Sequence, residues 1–187
     1  MMKKVSLFIV SSVFIVLYFM SSTSCNREDY SKEIAKLDSL KSHLTVYKVR
    51  LDSIDSTYVM NLKPIIDRDI EWIKDSLTKE TMSLGAVFLV TVRAGSKLTD
   101  SFPTEYTSLK NEVNYSITQL EDLLKDLNKG SIEAIKARKY LNDEEMAYKV
   151  IERHVNKMTG RLESLKDYPD IRKEFYDKIR QQGLSSE

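Results

Sequence analysis

The sequence predicts an all-α protein, an elongated antiparallel helical bundle of about four long amphipathic helices plus a short C-terminal helix, with coiled-coil-like seams. Two observations lead to this prediction. Apolar residues recur at helical spacing along most of the 187 residues, and only 5 glycines and 3 prolines interrupt them. Because each amphipathic helix must bury its apolar stripe against a partner, long helices joined by short breaks favour a bundle.

The first predicted helix, over residues 28–61, shows the clearest periodicity. Apolar and aromatic residues occupy the a and d positions of about four heptads, a pattern typical of coiled-coil packing. The a positions are Tyr30, Leu37, Leu44, Leu51 and Tyr58, and the d positions are Leu40, Tyr47 and Ile54. We therefore expect one continuous helix of about 50 Å.

The three prolines separate the later periodic segments. Pro64, Pro103 and Pro169 are interpreted as helix starts, because proline is tolerated in the first turn of a helix but disrupts its interior. The predicted helices span 64–97, 103–129, 143–167 and 169–182, with residues 131–141 either a short helix or a continuation of the third.

Capping residues refine these boundaries. Asn142 is followed by three acidic residues, which favours a helix start because the N-terminal end of a helix attracts negative charge. Gly95, Gly130 and Gly183 lie near predicted helix ends, where a left-handed residue is accessible to glycine.

The stretch Met82–Val92 is apolar nearly all round and rich in β-branched residues. It is too short to span a bilayer. The favoured interpretation is the most buried part of the second helix, with Gly85 allowing close approach of a neighbour. A buried strand and an interface with another protein remain as alternatives. The candidate interface or cavity residues are Trp72, Leu84, Val87 and Phe88.

The composition excludes several classes of site. One cysteine, two histidines and few glycines exclude a disulfide framework, a Cys/His zinc site and a glycine-rich phosphate loop. A formal net charge of +1 gives no indication of nucleic-acid binding. Asp67–Glu71 resembles the opening of a calcium loop but lacks its glycine and its closing acid, which favours a helix surface. We therefore expect no catalytic residue, no metal, no cofactor and no enzymatic activity.

Residues 1–24 differ from the rest of the chain. Lys3 and Lys4 precede sixteen uncharged residues, 5–20, and small residues then lead to Cys25. A charged start, an apolar centre and a small-residue cleavage site are typical of a secretory signal peptide.

This N-terminal segment resembles the signal peptide of bacterial lipoproteins. The resemblance implies cleavage between Ser24 and Cys25 and lipidation of Cys25 through a thioether. Ser22 stands where most lipoboxes have leucine, so the box is a relaxed one. Asn26 favours the outer over the inner membrane. Cleavage by ordinary signal peptidase, giving a soluble periplasmic protein, and an uncut membrane anchor are the alternatives.

The predicted organisation is a signal peptide over 1–24, a lipidated tether over 25–29, a helical bundle over 30–183 and a disordered tail over 184–187. We expect a non-catalytic protein of the cell envelope, held at the membrane by its N-terminal lipid and facing the periplasm or the cell surface. Its expected role is that of a scaffold, accessory subunit or adaptor for a protein partner. A bundle that binds an apolar small molecule or a lipid is the alternative.

Overall fold

The computed structural model describes residues 29–76 and 85–182, and nearly all of these residues are helical, with no strand among them. The helices are α1 (Ser31–Asp52), α2 (Ser56–Ser76), α3 (Ala86–Lys129), α4 (Ala134–Lys166) and α5 (Tyr168–Gln181). They pack as an all-α bundle, which confirms the predicted fold class of four long helices and a short C-terminal one. The predicted signal peptide, residues 25–28 of the tether and the predicted tail lie outside the described residues.

The helices form three rods. The first rod contains α1 and α2, the second is α3, and the third contains α4 and α5. Ion pairs report the direction of α3: Lys41 pairs with Glu121 at 2.8 Å, whereas Asp52, further along α1, pairs with Lys110 at 2.6 Å. Because the residue numbers run in opposite directions, the first and second rods are antiparallel.

The first and third rods run parallel to each other. Near the start of α1 the Glu33 carboxylate lies 3.2 Å from Arg138, and near its end Arg50 donates to Asn156 at 3.1 Å. Residue numbers thus rise together in the two rods. This arrangement follows from a chain that passes up, down and up again through three adjacent rods.

The core follows the predicted heptads. All five a and d residues that fall within α1 are buried, which confirms the seam: Leu37, Leu40, Leu44, Tyr47 and Leu51. They face the buried stripes of the other two rods, which include Leu109, Val113, Leu120, Ile151, Val155 and Met158. Each such side chain contributes about 1.5–3 kcal/mol through removal of apolar surface from water.

Two of the three helix starts predicted from prolines are wrong. The helix expected over 28–61 ends at Asp52, and α2 then runs from Ser56 through Pro64 to Ser76. Likewise α3 continues through Pro103. An interior proline destabilises a helix by about 3 kcal/mol, but buried residues stand on both sides of each one, for example Leu62 and Ile66 around Pro64. Their burial outweighs the lost hydrogen bond. Only the prediction for Pro169, in the first turn of α5, is confirmed.

Three capping predictions had different outcomes. Asn142 does not start a helix, because α4 begins at Ala134 and buries residues on both sides of that position. Gly95 lies inside α3 and ends no helix; an added Cβ there would stand 2.9 Å from Ile66 Cδ1. Gly130 caps α3 in the left-handed conformation with φ 65°, as predicted. Gly183 lies outside the described residues.

Within the described ranges, 29–76 and 85–182, we find no helix with the length and apolar character needed to cross a membrane.

Candidate binding groove

The first rod is interrupted at residues 53–55, and side chains cap both sides of the break. At the end of α1, Ser53 Oγ donates to the carbonyl of Arg50 at 2.8 Å. At the start of α2, Asp55 Oδ1 accepts a hydrogen bond from the backbone N–H of Tyr58 at 3.0 Å. These bonds satisfy groups that a helix leaves unpaired at its ends. The break is therefore stabilised by specific side-chain hydrogen bonds on both of its sides.

At this break a groove of about 630 Å³ opens between the first rod and α4. We call it the break groove. Its apolar surface comes from both rods and includes Ile54, Tyr58, Val59, Leu162 and Leu165. Its polar rim includes Arg50, Asp55, Asn156, Glu163 and Lys166. The groove thus combines an apolar surface with a charged margin.

Gly160 keeps the α4 wall of the groove low. A Cβ added to this residue would meet no atom within 4 Å, so no neighbour requires a glycine there. In a helix interior glycine is less favourable than alanine by about 1 kcal/mol. The glycine therefore adds no packing contact, and its effect on the structure is to leave the groove open.

The charges on the rim differ in what they contact. Asp55 caps α2, as described above, and Glu163 pairs with Lys166 at 2.8 Å. The Arg50 guanidinium donates to the side-chain amide oxygen of Asn156 and lies 5.7 Å from the Tyr47 ring centre. Among the described residues no carboxylate lies within ion-pair distance of Arg50. Several of its five N–H donors remain available to a ligand.

Two exposed valines extend the apolar surface beyond the groove. Val46 lies four residues before Arg50, and Val49 lies four residues before Ser53, so helical spacing places the valines on the face of α1 that carries these two groove residues. Their exposed fractions are 54% and 64%. An apolar track therefore runs along α1 into the break groove, with the Arg50 cation beside it.

A second polar group, which we call the carboxylate clasp, joins α2 to α5. Asp69 is 1% exposed, and both of its oxygens accept hydrogen bonds. Arg172 donates from Nε at 2.7 Å and from Nη2 at 3.0 Å, Tyr176 donates its hydroxyl at 2.9 Å, and the Tyr168 hydroxyl also donates. The clasp fixes the C-terminal helix to the end of the first rod.

In the clasp, the pKa values of all three side chains that donate to Asp69 are raised. Burial raises the pKa of the Tyr168 and Tyr176 hydroxyls, and donation to the Asp69 carboxylate raises it further. The hydrogen bond to Asp69 raises the pKa of Arg172. The interpretation of Asp67–Glu71 as a helix surface is wrong for Asp69, which points into the bundle.

An aromatic cluster packs beside the clasp and contains two of the predicted candidate residues. The Phe88 ring stacks on Phe175 with 4.2 Å between centres, and Trp72 meets Phe175 edge-on at 5.6 Å. Phe88 is buried and Trp72 is partly buried. Val87 faces solvent with 68% of its surface exposed. Leu84 lies outside the described residues.

The segment around Phe88 is a helix start. Gly85 precedes α3, and residues 86–92 form its first two turns, so the strand alternative is wrong. The favoured interpretation of the stretch as the most buried part of the second predicted helix is also wrong, because these residues begin the next helix. Phe88 and Val92 are buried there, whereas Val90 is exposed like Val87. Gly85 allows close approach, as predicted, because an added Cβ would stand 2.2 Å from the Phe175 ring.

The break groove and the carboxylate clasp were both missed from the sequence. Asp69 lies three residues after Ile66 and four before Ile73, which places it on the apolar stripe of α2. Tyr168, Arg172 and Tyr176 recur every four residues and share one face of α5. These spacings were the available signals for the clasp.

The predicted cleavage and lipidation residues, Ser24 and Cys25, lie outside the described residues. In the described part of the chain, no three His, Cys, Asp or Glu side chains are grouped so that they could hold a metal ion. Comparison of the chain with protein-family models, with curated proteins and with solved structures found no match.

Proposed function

We propose that this protein is a lipid-anchored, non-catalytic protein of the cell envelope that acts through protein–protein contacts as a scaffold, accessory subunit or adaptor. The break groove is the observation that supports contact with a partner. It presents apolar surface and an arginine that no carboxylate of the described residues pairs with, whereas the carboxylate clasp is saturated by its own chain.

The position at which α1 begins supports the proposal of a tethered rod. The Tyr30 hydroxyl donates to the carbonyl of Ile132 at 2.8 Å, so α1 begins beside the connection between α3 and α4, at one tip of the bundle. Cys25 precedes Tyr30 by five residues. A lipid on Cys25 would therefore attach at this tip. At 1.5 Å per residue, Ile54 and the break groove would stand about 36 Å further along the rod.

Lipidation supplies the energy of attachment in this proposal. Each buried methylene of an acyl chain contributes about 0.8 kcal/mol, and two or more chains hold a protein stably at a membrane. The bundle then needs no membrane-binding face of its own. Its break groove remains available to a partner, on the side of the membrane that the signal peptide determines.

The shape of the groove favours a protein over a small molecule. Small-molecule sites bury most of the ligand surface. The break groove is open along one side, and the exposed Val46 and Val49 lie on α1 just before the groove residues Arg50 and Ser53. The alternative of an apolar cavity around Met82–Val92 gains no support, because Phe88 and Phe175 pack directly against each other.

A cysteine variant tests the tether, and a crosslinker tests the contact. We expect Cys25→Ser to lose labelling by radioactive palmitate and to move from the membrane to the soluble fraction. In the wild type, a photocrosslinking amino acid at Val49 should join the chain to a protein partner. The same amino acid at Tyr115, an exposed position on α3, should not.

The control for the tether is Ser24→Ala, which keeps a small residue before the cysteine and should be labelled normally. Membrane retention of the Cys25→Ser variant without label would indicate the uncut anchor. An unlabelled, soluble wild type would indicate the soluble periplasmic alternative. Equal crosslinking at Val49 and Tyr115 would contradict a partner contact at the groove.

A further inference from the structure

We propose that the break groove binds an extended segment of a partner protein in which an aliphatic or aromatic side chain stands next to a carboxylate. The apolar side chain occupies the groove, and the carboxylate pairs with Arg50. This inference rests on the proposed function, that the protein acts through protein contacts, and it names the chemistry of the partner.

The apolar half of the site has space and suitable walls. The volume of about 630 Å³ lies between the first rod and α4, where Ile54, Tyr58 and Leu162 contribute apolar surface. Gly160 leaves the α4 side open, since nothing lies within 4 Å of the position of its missing Cβ. A side chain from outside can therefore enter without displacing any of the described groups.

The charged half of the site contains a cation, Arg50, that no carboxylate among the described residues pairs with. The rim carboxylates of Asp55 and Glu163 are already engaged by the N-terminus of α2 and by Lys166. Arg50 donates to Asn156 from one Nη atom, and its guanidinium carbon lies 5.7 Å from the centre of the Tyr47 ring. A planar guanidinium with donors left over matches a carboxylate through two parallel hydrogen bonds.

The shape of the surface selects an extended peptide. Val46 and Val49 continue the apolar surface along α1 past Arg50, and both are more than half exposed. A chain lying along this track would cover the valines, present a carboxylate at Arg50 and insert its next apolar side chain into the groove. A fatty acid has a single apolar chain that ends at its carboxylate. With the carboxylate at Arg50 and the chain in the groove, it would leave the valines uncovered.

Selection of peptides tests the proposal directly. The probe is a random library of linear dodecapeptides, selected on the full lipoprotein in detergent micelles and depleted against its Gly160→Phe variant. We expect enrichment of peptides with Asp or Glu beside Leu, Ile or Phe. Because a charge-assisted hydrogen bond is lost, Arg50→Gln should weaken binding of the selected peptides about tenfold. Arg50→Lys should have an intermediate effect.

Matched variants separate binding from folding. Arg153→Gln removes an exposed arginine of α4 outside the groove and should leave peptide affinity unchanged. Circular dichroism of Gly160→Phe should show an intact helical fold, so that its loss of binding reports a blocked groove.

Other outcomes would overturn the inference. Selected peptides without Asp or Glu, or peptides that bind Gly160→Phe equally well, would exclude the proposed pairing of an acidic and an apolar side chain with the groove. So would saturable binding of laurate at Arg50 with no enriched peptide, which would indicate a lipid ligand. If the crosslink at Val49 forms in cells while these peptides fail, the proposed function stands and only the groove chemistry is wrong. If no crosslink forms at Val49 in cells although the selected peptides bind, the proposed function is contradicted.

Discussion

The break groove and the carboxylate clasp lie on the same two rods but use polar groups in opposite ways. In the clasp, one buried carboxylate accepts hydrogen bonds from three side chains of α5, and an aromatic cluster closes around it. In the groove, an arginine donates to one amide and has no carboxylate partner among the described residues. A saturated site holds the chain together, whereas an unsaturated one retains the capacity to bind another molecule.

The glycines show the same contrast in steric terms. Close neighbours leave no room for a side chain at Gly85 and Gly95, since added Cβ atoms would approach Phe175 and Ile66 to 2.2 and 2.9 Å. An added Cβ at Gly160 would meet no described atom of another part of the structure within 4 Å. The first two positions need glycine for packing, and the third does not. Gly160, the glycine that packing does not require, is the one that lines the break groove.

The largest expected effect is on the clasp. Asp69→Asn removes the charge and places an amide N–H₂ against groups that donate hydrogen bonds. Breaking a buried ion pair destabilises by about 3–5 kcal/mol. We expect about 3 kcal/mol here, because Arg172 is 38% exposed and can be rehydrated. Urea unfolding followed by circular dichroism measures the change.

The matched control lies two residues earlier on the same helix. Asp67 is half-exposed and pairs with Lys63 at 3.4 Å. Asp67→Asn should change the free energy of unfolding by less than about 0.5 kcal/mol, as expected for a surface pair. Equal effects of the two substitutions would mean that the clasp does not stabilise the fold.

The next effect is a loss of stability at high pH. The pKa of Tyr168 and Tyr176 is raised in the folded state, by burial and by donation to Asp69. Their contribution is therefore complete below the unfolded tyrosine pKa of about 10 and is lost as pH rises above it. For each such tyrosine the free energy of unfolding should fall by at most about 1.4 kcal/mol per pH unit.

A tyrosine variant isolates this effect. Tyr176→Phe cannot ionise at that position, so its stability should decline less steeply than that of the wild type between pH 9 and 11. Arg172, which faces the same carboxylate, stays charged throughout this range. Parallel stability curves for the two proteins would contradict the assignment of the raised pKa to Tyr176.

The smallest effect contrasts two helical glycines. Gly160→Ala should raise the free energy of unfolding by about 0.5–1 kcal/mol, because alanine is the better helix former and meets no neighbour. Gly95→Ala should lower it by about 1 kcal/mol, because Ile66 and Leu165 must move. Thermal melting of both variants measures the difference. Stabilisation by both would show that the rods do not press on Gly95.

The seam of the first rod could be predicted because a heptad pattern specifies which residues face inward. Leu37, Leu44 and Leu51 are buried because a seven-residue period places them on one face of the helix. The helix boundaries could not be predicted in the same way. Pro64 and Pro103 predict breaks locally, but burial on both sides of each proline belongs to the assembled bundle.

The break groove was hidden by the same pattern. The heptad positions continue through Ile54 and Tyr58, so the sequence reads as one helix across residues 53–55. Only Asp55, which can cap a helix, indicated a new start. The role of Gly160 depends on an empty space between two rods, and a space has no signature in the sequence of either rod.

The second rod determines the mechanical character of the molecule. Helix α3 spans 44 residues, or about 66 Å, and passes alongside the interruptions of both neighbouring rods without one of its own. An axial load at either tip would therefore be transmitted through a single continuous helix, whose ladder of backbone hydrogen bonds lacks the one that Pro103 cannot donate. The interruptions can shape the flanks of the molecule while its longitudinal stiffness is preserved.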